Sequence, residues 1–121
     1  MNSKRLSAVL LGALVLPLCA VAGAYVYTLP WENKAEVLTY RNCGCADSCW
    51  IAELRKKKGD TLLVKLRCDC EKLLVTSAED TKKETVYRAT CEGFDTEEKL
   101  ARIAAEVKAL QESRKQKPAK K

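Results

Sequence analysis

The sequence predicts an α+β fold: a small antiparallel sheet of about four strands in meander order, one C-terminal amphipathic helix, and disulfide staples, all behind an N-terminal signal or anchor segment. Three observations carry this. Residues 49–55 and 61–70 alternate apolar and polar side chains, the period of half-buried strands. Leu100, Ile103, Val107 and Leu110 recur at three and four residues, the period of a helix with one buried stripe. Six of the seven cysteines of this 121-residue chain follow the N-terminal segment, an even count that marks a disulfide framework in a short exported domain.

Lys4 and Arg5 form a positive start, and no further charge occurs until Glu32. The apolar run from Leu6 to Leu16, Pro17 and the small residues Ala22 and Ala24 have the layout of a secretory signal peptide covering residues 1–24. The competing reading is an uncleaved anchor reaching to about residue 30, since roughly 20 apolar residues span a bilayer. Tyr25, Tyr27 and Trp31 would then form an interfacial aromatic belt. Both readings place residues 32–113 outside the cytoplasm, as a periplasmic, secreted or membrane-anchored domain. Lipid attachment at Cys19 fits poorly, because Pro17 and Leu18 precede it where a small residue is wanted.

Residues 35–43 contain Val37, Thr39 and Tyr40 and read as a strand, ending in the loop Gly44-Cys45-Ala46-Asp47-Ser48. Trp50, Ala52 and Leu54 share one face of the next strand, and Lys56, Lys57, Lys58, Gly59 and Asp60 make its turn. Leu62, Val64, Leu66, Cys68 and Cys70 then share one face, with Leu63 on the other. Matching the inward faces puts Leu54 across from Val64 and Trp50 across from Cys68. The alternation slips at Glu71 and Lys72 and resumes at Leu73 and Val75, which calls for a bulge or a break between strands. Residues 78–84 read as a charged loop and 85–91 as the last strand. Asp95 with Glu98 forms a capping box at the helix start. The stripe behind it is expected to pack on the sheet, with docking of a partner helix as the alternative.

Outside the N-terminal segment the cysteines are Cys43, Cys45, Cys49, Cys68, Cys70 and Cys91. Six allow fifteen pairings. Cys68 and Cys70 should not pair with each other, because i and i+2 on a strand lie about 6.6 Å apart with parallel Cβ vectors. The simplest solution joins the trio Cys43, Cys45 and Cys49 to the trio Cys68, Cys70 and Cys91; a terminal hairpin would instead favour Cys70–Cys91. No free thiol is expected. Two other chemistries share this pattern: a soft-metal thiolate site and a thiol-redox motif, each built on Cys43-Gly44-Cys45 or Cys68-Asp69-Cys70. Zinc sites prefer two-residue spacing and redox motifs a thioredoxin-like context, so structural disulfides lead and no metal or cofactor is expected.

Twenty-two basic against sixteen acidic residues give a net charge of +6. Lys4 and Arg5 leave with the export segment. Arg114, Lys115, Lys117, Lys120 and Lys121 concentrate five more charges in a basic tail, residues 114–121, that is expected to be disordered. Residues 25–113 keep 15 bases and 16 acids, so the folded part is not a basic nucleic-acid domain. The absence of histidine excludes imidazole acid–base chemistry and the triads built on it. No phosphate loop, SxxK or GxSxG motif occurs, and no catalytic residue is assigned.

The expectation is therefore a small exported, non-enzymatic binding protein: an inhibitor, an immunity factor or an accessory subunit of an envelope complex. A protein partner, acidic in character, is expected. Nucleic acid is not, and membrane contact runs only through an uncleaved N-terminal segment. Soft-metal or thiol-redox function is the alternative. The recognition residues expected are Gly44 and Asp47 in the cysteine loop, and Arg55, Lys56, Lys57 and Lys58 at the basic turn.

Overall fold

The computed structural model describes residues 25–116 apart from Asp47. The export segment and residues 117–121 lie outside the described residues. Six strands form one antiparallel sheet in strict sequence order: β1 (Tyr27–Leu29), β2 (Glu36–Gly44), β3 (Cys49–Lys56), β4 (Leu62–Asp69), β5 (Leu73–Ser77) and β6 (Asp80–Arg88). The helix α1 (Lys99–Lys115) covers one face. The meander and the single C-terminal helix agree with the sequence reading; the count of about four strands does not. Three-residue β1 is too short to show alternation. The expected loop at 78–84 is largely β6, because Ser77 pairs with Asp80 and leaves only Ala78 and Glu79 as the turn. Residues 89–91 fall outside the strand.

The central register follows from the alternation. Trp50 pairs with Cys68 and Leu54 with Val64. Both pairs face the helix, and all four side chains are buried. The slip after Cys70 is a break between strands. Asp69 Oδ1 accepts the backbone N–H groups of Glu71 (3.1 Å) and Lys72 (2.7 Å), folding the chain back on itself. Cys70, at φ 81°, leaves the strand face it was expected to share with Cys68. The face assigned to Leu63 also changes. Leu54 pairs with Val64 but Arg55 pairs with Leu62, so Leu63 is the extra residue of a β-bulge and packs against the helix-side core.

On the helix, Ile103 and Val107 are fully buried and Leu110 is partly buried, which supports packing across the sheet. Leu100 departs from expectation, being 42% exposed. Its place beneath the first turn is taken by Phe94, whose ring sits 5.2 Å from that of Trp50. The helix starts at Lys99, with Glu98 as N-cap and no side-chain capping bond, so the box expected from Asp95 does not form. At the other end Gln111 donates its amide to both carboxylate oxygens of buried Glu36 (3.1 and 2.9 Å). Arg114 donates to the carbonyl of Leu63 and pairs with Glu79 at 3.1 Å, so Arg114 and Lys115 belong to α1 and not to the disordered tail expected from residue 114 onward.

The uncovered sheet face carries charged rows. Arg67 on β4 grips Glu84 on β6 through two hydrogen bonds, one of 2.9 Å. The Arg67 guanidinium holds the Glu84 carboxyl below the usual carboxylate range. A depressed carboxylate stabilises the fold above its unfolded pKa, and that stabilisation is lost as pH falls through the folded value. Glu84→Gln should therefore flatten the acid limb of the stability curve below the ordinary glutamate value of 4.5. The pair is partly exposed, so the difference at neutral pH should stay under about 1 kcal/mol. Urea midpoints measured against pH check this.

Candidate functional site

The six cysteines among the described residues are all paired: Cys43–Cys49, Cys45–Cys70 and Cys68–Cys91. Cys68 and Cys70 seek partners on other segments, as strand geometry requires. Pairing between the two trios holds only for Cys45–Cys70. Cys43 and Cys49 close the β2–β3 hairpin on itself, with Cα atoms 4.9 Å apart. Cys68 reaches Cys91 in the segment before the helix, so the expected Cys70–Cys91 alternative is also replaced. The two CxC pairs thus direct their sulfurs to different partners, and in this state none is a thiolate donor.

The cysteine loop is held in a backbone shape that few sequences adopt unaided. Gly44, Cys45 and Ala46 all have positive φ, at 117°, 54° and 48°. For the two non-glycine residues this costs about 1–2 kcal/mol each. Both neighbouring disulfides hold the chain there, and Ser48 N–H closes the turn on the Cys45 carbonyl at 3.0 Å. Gly44 is exposed at its edge. Asp47, the other recognition residue expected here, lies outside the described residues.

Beside this loop an open cleft of about 500 Å³ separates it from the helix start, lined by Tyr40, Asn42, Ala46, Ser48, Phe94 and Leu100 among others. A row of rings underlies it: Tyr27–Tyr40 at 6.3 Å, Tyr40–Trp50 at 6.4 Å and Trp50–Phe94 at 5.2 Å between centroids. The Tyr40 hydroxyl donates to Asn42 Oδ1 at 2.6 Å, and the Lys99 ammonium lies 5.4 Å from the Tyr40 ring centroid. Leu100, which lines the cleft, and Tyr27, which stands beside Tyr40 in the row of rings, remain partly exposed, and Tyr25 is more exposed still. Such apolar exposure next to a rigid loop is what a macromolecular contact uses.

Comparison with protein-family models, with curated proteins and with solved structures finds no match for this chain. The functional reading therefore rests on the site itself.

The basic turn sits at the other end of β3, eight residues or about 25 Å away. Arg55 is not free for a partner: its Nε donates to Glu53 at 2.8 Å and its Nη1 to the Asp60 carbonyl at 3.0 Å. Lys56, Lys57 and Lys58 are exposed. Sequence reasoning missed that Lys56 and Lys58 share a recess with Lys115 from the end of α1. Nothing local signals this; it follows from the helix running back along the sheet to the β3–β4 turn. Among the described residues no helix is long and apolar enough to cross a membrane, and no group of three or more His, Cys, Asp or Glu is placed to hold a metal ion.

Proposed function

We propose that this protein is a small exported binding protein without catalytic activity, an inhibitor, immunity factor or accessory subunit of an envelope complex. It recognises a macromolecular partner through the cysteine-loop end. The supporting fold is a disulfide-rich α+β domain, and three disulfides suggest an oxidising, extracytoplasmic compartment. The observation that carries the reading is the loop from Cys43 to Cys49, cross-linked twice and bordered by the aromatic cleft. A loop already fixed in shape loses little entropy on binding, and Tyr27 with Leu100 offers apolar area around the cleft.

Cross-linking of the exported protein in intact cells tests this. A discrete species of higher mass is expected, and the double variant Tyr27→Ser, Leu100→Ser should lose it while keeping its melting temperature. Both side chains are about half exposed, at 51% and 42%, so their removal should change stability by no more than about 1 kcal/mol each. A protein that stays monomeric in cells, or a double variant that keeps the complex, would refute the assignment to this surface.

A further inference from the structure

We propose that the opposite, basic end of the domain is a second docking site, for an acidic polypeptide that seats one apolar side chain between the β3–β4 turn and the last turn of α1. The inference rests on the binding reading above and assigns it a partner class at a separate surface.

Lys56, Lys58 and Lys115 line one recess of about 340 Å³, and Leu63 and Ala35 give it an apolar part. A smaller recess of about 240 Å³ shares Leu63, Gln111 and Lys115 with it and continues past Ala78 to Arg114. The two therefore run together along the end of the helix. Among the described residues none of Lys34, Lys56, Lys57, Lys58 and Lys115 takes part in an ion pair. Carboxylates do face the groove. Glu36 is buried with both oxygens taken by the Asn33 and Gln111 amides, and Glu79 is held by Arg114. Unpaired cations thus gather at one end of a domain whose residues 25–113 are close to neutral.

The apolar part of the recess favours a polypeptide over a bare polyanion, because a phosphate or sugar-acid chain brings no apolar side chain to fill it. For a chain that keeps its N-terminal segment as an anchor, chain direction argues against the membrane. Tyr27 pairs with Tyr40 towards the cysteine-loop end, whereas Glu36 pairs with Lys56 at the basic end. An anchor preceding Tyr25 would attach at the cysteine-loop end. The lysines would then stand roughly 25–30 Å further from the bilayer, the length of β2.

Fluorescence anisotropy on the exported protein tests this with a short labelled peptide of Asp and Glu around one central Leu, and with the same peptide carrying Ser at that place. The Leu peptide should bind about ten- to a hundredfold tighter, the gain expected from burying one such side chain. The triple variant Lys56→Ser, Lys58→Ser, Lys115→Ser should weaken it about tenfold or more at low salt, with the difference shrinking at high salt. Ala35→Met, which occupies the recess without changing charge, should erase the preference for Leu and leave the Ser peptide unaffected. Equal binding of the two peptides overturns the inference. So does failure to bind either, or tighter lysine-dependent binding of inorganic polyphosphate or of phosphatidylglycerol vesicles. If the cross-linked complex forms while both peptides fail, this inference falls and the binding reading stands.

Discussion

Ile103→Asp should remove about 4–5 kcal/mol of the stability of the domain. The side chain is fully buried between α1 and the sheet, in a cluster with Leu66, Trp50, Phe94 and Val107. An aspartate there must either bury an unpaired charge or take up a proton to avoid it, and it leaves the volume of the isoleucine unfilled. Substitutions of this kind cost about 4–5 kcal/mol, against a total of about 5–15 kcal/mol for a domain of ordinary stability. Leu100→Asp, one turn earlier on the same stripe, should shift the urea midpoint little, because that side chain stays in contact with water. Measured together, the two variants separate packing from partner docking. An Ile103→Asp protein that kept its midpoint would show that the stripe is not part of the core.

That contrast between Leu100 and Ile103 also marks what periodicity can and cannot tell. The helix period depends on 3.6 residues per turn and is insensitive to where the helix enters the sheet. Ile103 and Val107 at the centre of the stripe were therefore legible, and Leu100 at its end was not, because Phe94 arrives from outside the helix to fill that space. The register of β3 on β4 was legible for a similar reason. With side chains alternating strictly, every second alignment puts Trp50 and Leu54 on the face that holds Cys68 and Val64, and the short turn between β3 and β4 selects the observed one. β1 and the first half of β6 carry too little alternation to announce themselves. The disulfides were partly legible: strand geometry excluded Cys68–Cys70, but choosing among the remaining pairings needed the bulges and the positive φ at Cys70, which no local pattern encodes. The basic groove was invisible for a further reason. Its lysines come from residues 56, 58 and 115, and only the folded path of the chain brings them together.

Removing the Cys68–Cys91 bond should cost more than removing Cys43–Cys49, although the second is the more exposed. The first closes a sequence separation of 23, the second one of 6. In the chain-entropy model these correspond to about 3.5 and about 2.3 kcal/mol. Packing widens the gap. Cys68 is buried in the helix-side core and Cys91 packs against it, so a double alanine variant loses sulfur contacts with the cross-link. The bond also ties β4 to the segment that presents Phe94, whose ring closes the core over Trp50. Cys43 is exposed, Cys49 is buried but stands outside the helix-side core, and the strands flanking their hairpin keep their ladder without the bond. Cys68→Ala with Cys91→Ala should therefore lower stability by about 4–5 kcal/mol, combining the cross-link and packing losses. Cys43→Ala with Cys49→Ala should lower it by about 2 kcal/mol and chiefly loosen the loop. Urea unfolding of the two double variants measures the difference, and mild reduction followed by mass-tagging of thiols should open Cys43–Cys49 well before Cys68–Cys91. The reverse order in both measurements would mean that the cysteine loop, and not the joint between β4 and the helix, holds this domain together.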